Sequence, residues 1–342
     1  MTRQVWILAL AALVLGMAPA AAVNADETTT LRWATSSTGS AGHRAKVNLM
    51  SLLNREMPGW RINVMPTPGA VASMRGYAMG QFDGYYGADI AFRELATDSG
   101  RFRDFRDRMQ REPVQSFWAY SMEVGLAVRA DDHADYAGWH SLDGRPVFTG
   151  PAPWDVRAQL ERALHTLDVQ HRYRELDPGL AGASLERGAI DAFIVYTAGE
   201  SALAAWVTEA EMGSNIAVLN PSDEELERLR EAGLQPVSID PGVFRTDVGV
   251  ETAWFVPFFY GFHLGLDIPA GDIYRMLEII EENAAALAEA DAVFAQIAED
   301  MPDIQRRGVA ATIDSARVHP GLARYMRERG VWDSDWDERI AQ

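Results

Sequence analysis

The sequence contains no cysteine. That excludes disulfides, thiolate metal sites, a cysteine nucleophile and a lipid-modified cysteine anchor. Lysine is nearly absent too, Lys46 being the single one among 31 basic residues. An ATP site built on a P-loop lysine is therefore excluded, and Schiff-base chemistry could use only Lys46. Positive charge is scarce overall: 49 acidic residues outnumber the basic ones and leave a net charge of -18. Such a chain repels a phosphate backbone, so no nucleic acid is expected as a partner. Catalytic patterns are missing as well. The seven histidines show no H-E-x-x-H spacing, and Gly39-Ser-Ala-Gly42 is not a G-x-S-x-G elbow. The neighbours of Gly125 form no dinucleotide fingerprint. Asp333-Ser-Asp-Trp-Asp337 resembles the opening of a calcium loop but has Glu338 where glycine is needed. No cofactor, no metal and no catalytic residue is expected, and the protein reads as no enzyme.

Long apolar runs are confined to the start. Residues 5–17 are apolar behind Arg3, shorter than the roughly 20 residues of a membrane span. Small residues follow, with A-x-A-like sites ending at Ala22 and Ala25. Residues 1–25 thus read as a secretory signal peptide, an uncleaved anchor helix being the alternative. The expected location is the periplasm, without a lipid tether. The next most apolar stretch, 252–266, holds Pro257, Gly261 and His263 and reads as buried in a soluble protein.

A length of 342 residues suggests two domains or one large one. The pattern favours two. Leu31 to Ala34 alternates as a strand, a polar loop follows, and residues 43–57 carry the apolar face of a helix. Strand, loop and helix then recur at 60–80 and 82–97. A second alternation begins at Arg145, with helices expected at 154–167, 180–188, 201–210 and 222–232. The apolar stretch 117–130 can carry the chain from one unit to the other, and 248–262 can bring it back. A strong helix is expected over 273–287. Such alternation means α/β units with parallel strands and helical crossovers, and ligands of these sheets bind at the carboxyl ends of the strands.

Three small-residue loops lie at those ends. The first offers the hydroxyls of Ser36, Ser37, Thr38 and Ser40 just before a helix, where free N–H groups and the helix dipole favour anions. A plain N-cap is the alternative. The second loop contains Ala70 and leads to Ser73, and the third runs from Thr149 to Ala152. His43, Arg44, Arg75 and Arg157 stand near the following helix starts, and an arginine can grip a carboxylate through two parallel bonds. Each can equally be a solvated surface charge. Trp154 and Asp155 occupy the tip of the third loop. Tyr85, Tyr86 and Trp254 read as core or hinge packing, with Tyr86, Asp89 and Tyr196 retained as ligand contacts.

The motif order resembles the TAXI branch of substrate-binding proteins for tripartite ATP-independent periplasmic (TRAP) transporters. The resemblance runs through Ala34-Thr-Ser-Ser-Thr-Gly-Ser-Ala-Gly-His-Arg44, Thr67-Pro-Gly-Ala-Val-Ala-Ser73, Leu142-Asp-Gly-Arg-Pro-Val147, Leu185-Glu-Arg-Gly-Ala-Ile-Asp-Ala-Phe193 and His319-Pro-Gly-Leu-Ala-Arg-Tyr325. The family's tyrosine pair falls at His43 and Arg44, and its second-half glycine loop is replaced by Gly150-Pro-Ala-Pro-Trp-Asp155. The resemblance implies a two-domain, type II periplasmic-binding-protein-like α/β fold with a ligand cleft and a hinge. Domain 1 would comprise residues 26–128 plus 249–342, and domain 2 residues 129–248. It further implies a small carboxylate ligand and delivery to a TRAP-type permease. A module feeding a sensor kinase, or an exported enzyme on the same scaffold, are the alternatives.

Overall fold

The computed structural model describes residues 28–38 and 40–342. The expected signal peptide at 1–25, and Gly39, lie outside the described residues.

The first strand, β1 (Thr29–Thr35), leads to helix α1 (Ala41–Glu56), β2 (Trp60–Pro66), α2 (Ala70–Ala78), β3 (Gly84–Ala88) and α3 (Asp89–Ala96). Local chemistry sets these boundaries. The Ser40 hydroxyl caps α1 by accepting from the His43 N–H at 3.2 Å. Beyond β4 (Trp118–Arg129) the pattern repeats with β5 (Pro146–Phe148), α4 (Asp155–Thr166), β6 (Arg172–Tyr173), α5 (Ala181–Glu186) and β7 (Ala192–Ala198). Then come β8 (Ala202–Leu203), α6 (Ala205–Gly213), β9 (Ile216–Leu219), α7 (Asp223–Glu231), β10 (Val237–Ile239) and β11 (Ala253–Leu264). Helices α8 (Ala270–Glu282), α9 (Ala284–Ala290), α10 (Ala295–Thr312) and α11 (Pro320–Glu328) complete the order.

The strands form two half-sheets of the same design. One runs β2-β1-β3-β11-β4, the other β6-β5-β7-β4-β9. In each, three parallel strands are followed by one antiparallel strand and then a strand that restores the first direction. The antiparallel member of each half is a long strand that crosses between the lobes. β4 leaves the first lobe and enters the second, and β11 returns. This is the α/β, two-lobed, type II periplasmic-binding-protein-like architecture expected from the sequence. The larger apolar core is centred on the first lobe and holds Trp33, Trp118 and Phe262. A second fills part of the other lobe around Phe148, Phe193 and Phe255. No helix of the described residues is long and apolar enough to cross a membrane.

Pro257 in the middle of β11 has a local reason. Between its pairing with β10 at Ala253–Phe255 and with β3 at Tyr260–Leu264, one edge of β11 has no strand neighbour. Proline is tolerated where no ladder donor is needed. Side chains from both lobes close the gap: Gln159 of α4 donates to the Pro257 carbonyl at 2.8 Å, and Asp89 of α3 accepts from the Phe259 N–H at 3.2 Å.

Three expectations shift. The helix expected over 273–287 is interrupted at Asn283, whose φ of -113° is non-helical and whose side chain donates to the Ile279 carbonyl. The helix expected from residue 201 starts at Ala205, because Gly199 and Glu200 adopt positive φ and fold β8 back onto β7. The helix expected at 180–188 is confined to Ala181–Glu186.

Candidate ligand-binding cleft

The seam between the lobes gathers side chains from the loop after β1, from β3, β4 and β11, and from α4 and the turn after α3. Ser36, buried behind β1, shares a 2.6 Å hydrogen bond with Ser40. Against them lies Gly42 on α1, where a Cβ would come within 2.8 Å of both the Ser36 hydroxyl and the Tyr86 ring. Only glycine lets α1 approach this closely. Tyr86 on β3 stacks on Tyr260 of β11 with ring centroids 4.7 Å apart, and its hydroxyl meets that of Tyr120 on β4 at 2.6 Å. Burial pushes all three phenols above their ordinary value, with the Asp155 carboxylate adding to the effect at Tyr260. They are neutral hydroxyls at physiological pH, able to donate.

Across the seam, Asp155 opens α4. The Tyr260 hydroxyl donates to it at 2.7 Å, and the Arg101 guanidinium at 2.6 Å. Arg101, in the single turn after α3, also reaches Glu94 at 2.7 Å. Burial opposes the Arg101 charge, but Asp155 and Glu94 raise its pKa above the usual value. Burial raises Glu94, with Arg101 pulling the other way. Two carboxylates thus flank one guanidinium, in contacts stronger than neutral hydrogen bonds.

The structure brings Ser36, Ser40, Tyr86 and Asp155 into this group. Ser37 and Thr38 stand exposed beside it, and Trp154 is a half-exposed ring next to Asp155. His43 and Arg44 line a cavity of about 490 Å³ with Asn48 and Asp291. Two of its residues, Asp291 and Arg44, act electrostatically on the Tyr120 hydroxyl, in opposite senses. Arg44 stands 3.8 Å from Asp291.

The remaining residues have other contacts. Ala70 is buried at the start of α2. The Ser73 hydroxyl accepts from the Tyr86 backbone N–H at 2.8 Å and so holds β3 in place. Thr149 donates to Glu161 at 2.5 Å, and Arg157 approaches the same carboxylate at 3.5 Å while covering the Tyr173 ring at 3.6 Å. Hydrogen bonds from His171 and Thr149 hold the Glu161 carboxyl below its usual range despite burial. Tyr196 accepts from the Trp206 ring N–H at 3.2 Å within the second lobe. Arg75 donates to the Arg101 carbonyl and lies over Phe105. Asp89 is buried, accepts from the Phe259 N–H and lines a separate crevice.

Tyr120, Tyr260 and Arg101 were not foreseen. Period-two alternation along β11 places Phe258, Tyr260 and Phe262 on one face, which is a signal for Tyr260. Arg101 carries no local signal, because its partners lie in different segments.

The chain belongs to the NMT1-like family, whose sequence profile matches residues 33–330. No curated protein matches it in sequence. Among solved structures it is similar to the periplasmic aliphatic sulphonate binding protein SsuA from Escherichia coli, at 15% identity, covering 92% of each chain, with a TM-score of 0.47. It is similar also to the alkanesulfonate-binding protein SsuA from Xanthomonas axonopodis pv. citri bound to MOPS, at 13% identity over 89% of this chain and 91% of that one, TM-score 0.41. MatC from Rhodopseudomonas palustris with bound malate shares 15% identity over 92% of this chain and 99% of that one, TM-score 0.41.

Proposed function

We propose that this protein is a periplasmic solute-binding protein of the TAXI type that captures a small organic acid between its lobes. It then delivers the acid to a TRAP-type membrane permease, without chemical turnover. The observation carrying this reading is the seam itself. Asp155 from one lobe meets Arg101 and Tyr260 from the other, beside the hydroxyls of Ser36, Ser40, Tyr86 and Tyr120. A carboxylate already sits on the guanidinium there, and a ligand carboxylate in its place would gain the same charge-assisted bond. We assign the lobes to residues 26–128 plus 249–342 and 129–248, hinged on β4 and β11, with residues 1–25 as the export signal.

The test is a thermal-shift screen of the purified protein with malate, glutamate, 2-oxoglutarate, a sulfonate and neutral sugars. A true ligand at a hundred times its dissociation constant adds about 2.7 kcal/mol of stability. A shift with neutral sugars and none with any carboxylate would overturn the acid reading. Delivery is tested in vesicles holding a TRAP-type permease, where uptake of the acid must depend on added protein.

A further inference from the structure

A second cavity lies on the other face of β11. Pro257 and Phe259 alternate with Phe258 and Tyr260 along that strand and so face away from the phenols. There they form part of the wall of a crevice of about 490 Å³. Its rim carries Arg93 of α3, Arg162 of α4, and Arg306 and Arg307 of α10. In a chain of net charge -18 such a cluster is notable. Arg306 is held by Asp303, and Arg307 by Glu200. Among the described residues, the guanidinium groups of Arg93 and Arg162 have no hydrogen-bond or ion-pair partner, the bonds these residues make being to their backbone carbonyls. Arg162 is half-buried, and burial together with the neighbouring Arg93 charge lowers its pKa. Two guanidiniums therefore repel one another beside a cavity, and the buried Asp89 carboxylate partly offsets this at Arg162. Phe259, Leu234 and Val237 supply apolar lining in the same crevice, alongside Gln159 and Gln235.

We propose that this crevice is a second binding site, distinct from the phenol-lined cleft, for a small organic anion with an apolar body. Its acid group would lie between Arg93 and Arg162, and its apolar part against Phe259 and Leu234. The volume falls in the range of small-molecule pockets. Arg93 and Arg307 come from the first lobe, and Arg162 and Leu234 from the second. An occupant therefore contacts both and favours the lobe arrangement in which they are together. It acts on the main cleft through the hinge rather than by competing for it.

Phenyl phosphate serves as the probe, with phenol as the uncharged control, titrated calorimetrically into the full protein at low salt. Binding of phenyl phosphate and none of phenol is expected. Arg162→Gln and Arg93→Gln, checked for an unchanged circular dichroism spectrum, should each weaken it about tenfold or more, since each removes a charge-assisted contact. Asp89→Asn should tighten it, because the amide can still accept the Phe259 N–H while one negative charge is removed from the wall. Tyr260→Phe in the main cleft should leave the probe affinity within about twofold. Absence of binding to the intact protein overturns the proposal. So does binding that survives both arginine changes but is lost in Tyr260→Phe.

Discussion

Asp155 and Arg101 face each other across the two lobes at 2.6 Å, with only 6% and 17% of their side chains exposed. Breaking such a pair from one side leaves a buried charge without its counterpart, which costs more than the pair itself contributes. A double-mutant cycle with Asp155→Ala and Arg101→Met should give a coupling energy above about 1 kcal/mol in urea unfolding. A value under about 0.5 kcal/mol would mean that the two residues do not act as a latch.

Lys46 is fully buried in the first lobe, its ammonium nitrogen 2.8 Å from the centre of the Trp33 ring. Among the described residues it has no hydrogen-bond partner. Burial lowers its pKa well below 10.5, and the nitrogen lies against the ring face instead of a hydrogen-bond acceptor. A base whose folded pKa is depressed releases its proton on folding, so stability rises with pH up to 10.5. Lys46→Met should raise stability at pH 7 in urea unfolding, because it removes a group whose protonation opposes folding there. The gain should shrink toward pH 10.5, and equal effects at both pH values would contradict the assignment. His263 behaves alike on the acid side: burial, with Lys46 adding, holds it down to about 3. It contributes to a loss of stability as the pH falls from 6.5 toward 3.

Glu123 sits fully buried on β4, accepting from Thr197 at 2.6 Å, from the Glu200 N–H at 3.0 Å and from Ser121. Burial, with the charge of Glu200 adding, pushes its carboxyl up to about 7 against the hydrogen bonds from Ser121 and Thr197. Its folded pKa lies above the unfolded one, so the associated stability is present below about pH 4.5 and lost as the pH rises through about 7. Glu123→Gln removes that dependence. Between pH 5 and 8.5 the variant should gain at least about 1.4 kcal/mol on the wild type in urea unfolding. A pH-independent difference would show that the carboxyl titrates normally.

Gly42→Ala forces a methyl group to within 2.8 Å of Ser36 and Tyr86. Overpacking of this kind costs about 1–3 kcal/mol. It should also displace α1 from the phenols. A lowered melting temperature is expected, together with at least tenfold weaker binding of whichever acid the thermal screen selects. Unchanged affinity would place the ligand away from α1.

The alternation of strands, small-residue loops and helices was legible because it rests on local periodicity and turn residues. So were the two crossing strands, whose apolar runs at 117–130 and 248–262 contain β4 and most of β11. The cleft was only partly legible. Ser36, Ser40, Tyr86 and Asp155 could be nominated from their positions at strand ends. The engagement of Ser73 with the Tyr86 backbone, and of Thr149 and Arg157 with Glu161, could not. Those partners are fixed by packing between segments that no local window contains. The His319-Pro-Gly motif shows the converse. His319 caps α11 by accepting from the Gly321 N–H, and Gly321 lets α8 approach, so its chemistry is that of a helix start.

Because β11 completes the sheet begun by β1, β2 and β3, the first-made part of the chain cannot finish its own lobe until residue 264 has been synthesised. Pairings of such long sequence separation are slow to form, and the early segment waits in an open state for its late partner. A chain so arranged keeps its first lobe open for most of its synthesis, while the strands β4 to β7 and β9 of the second lobe are all made by residue 219.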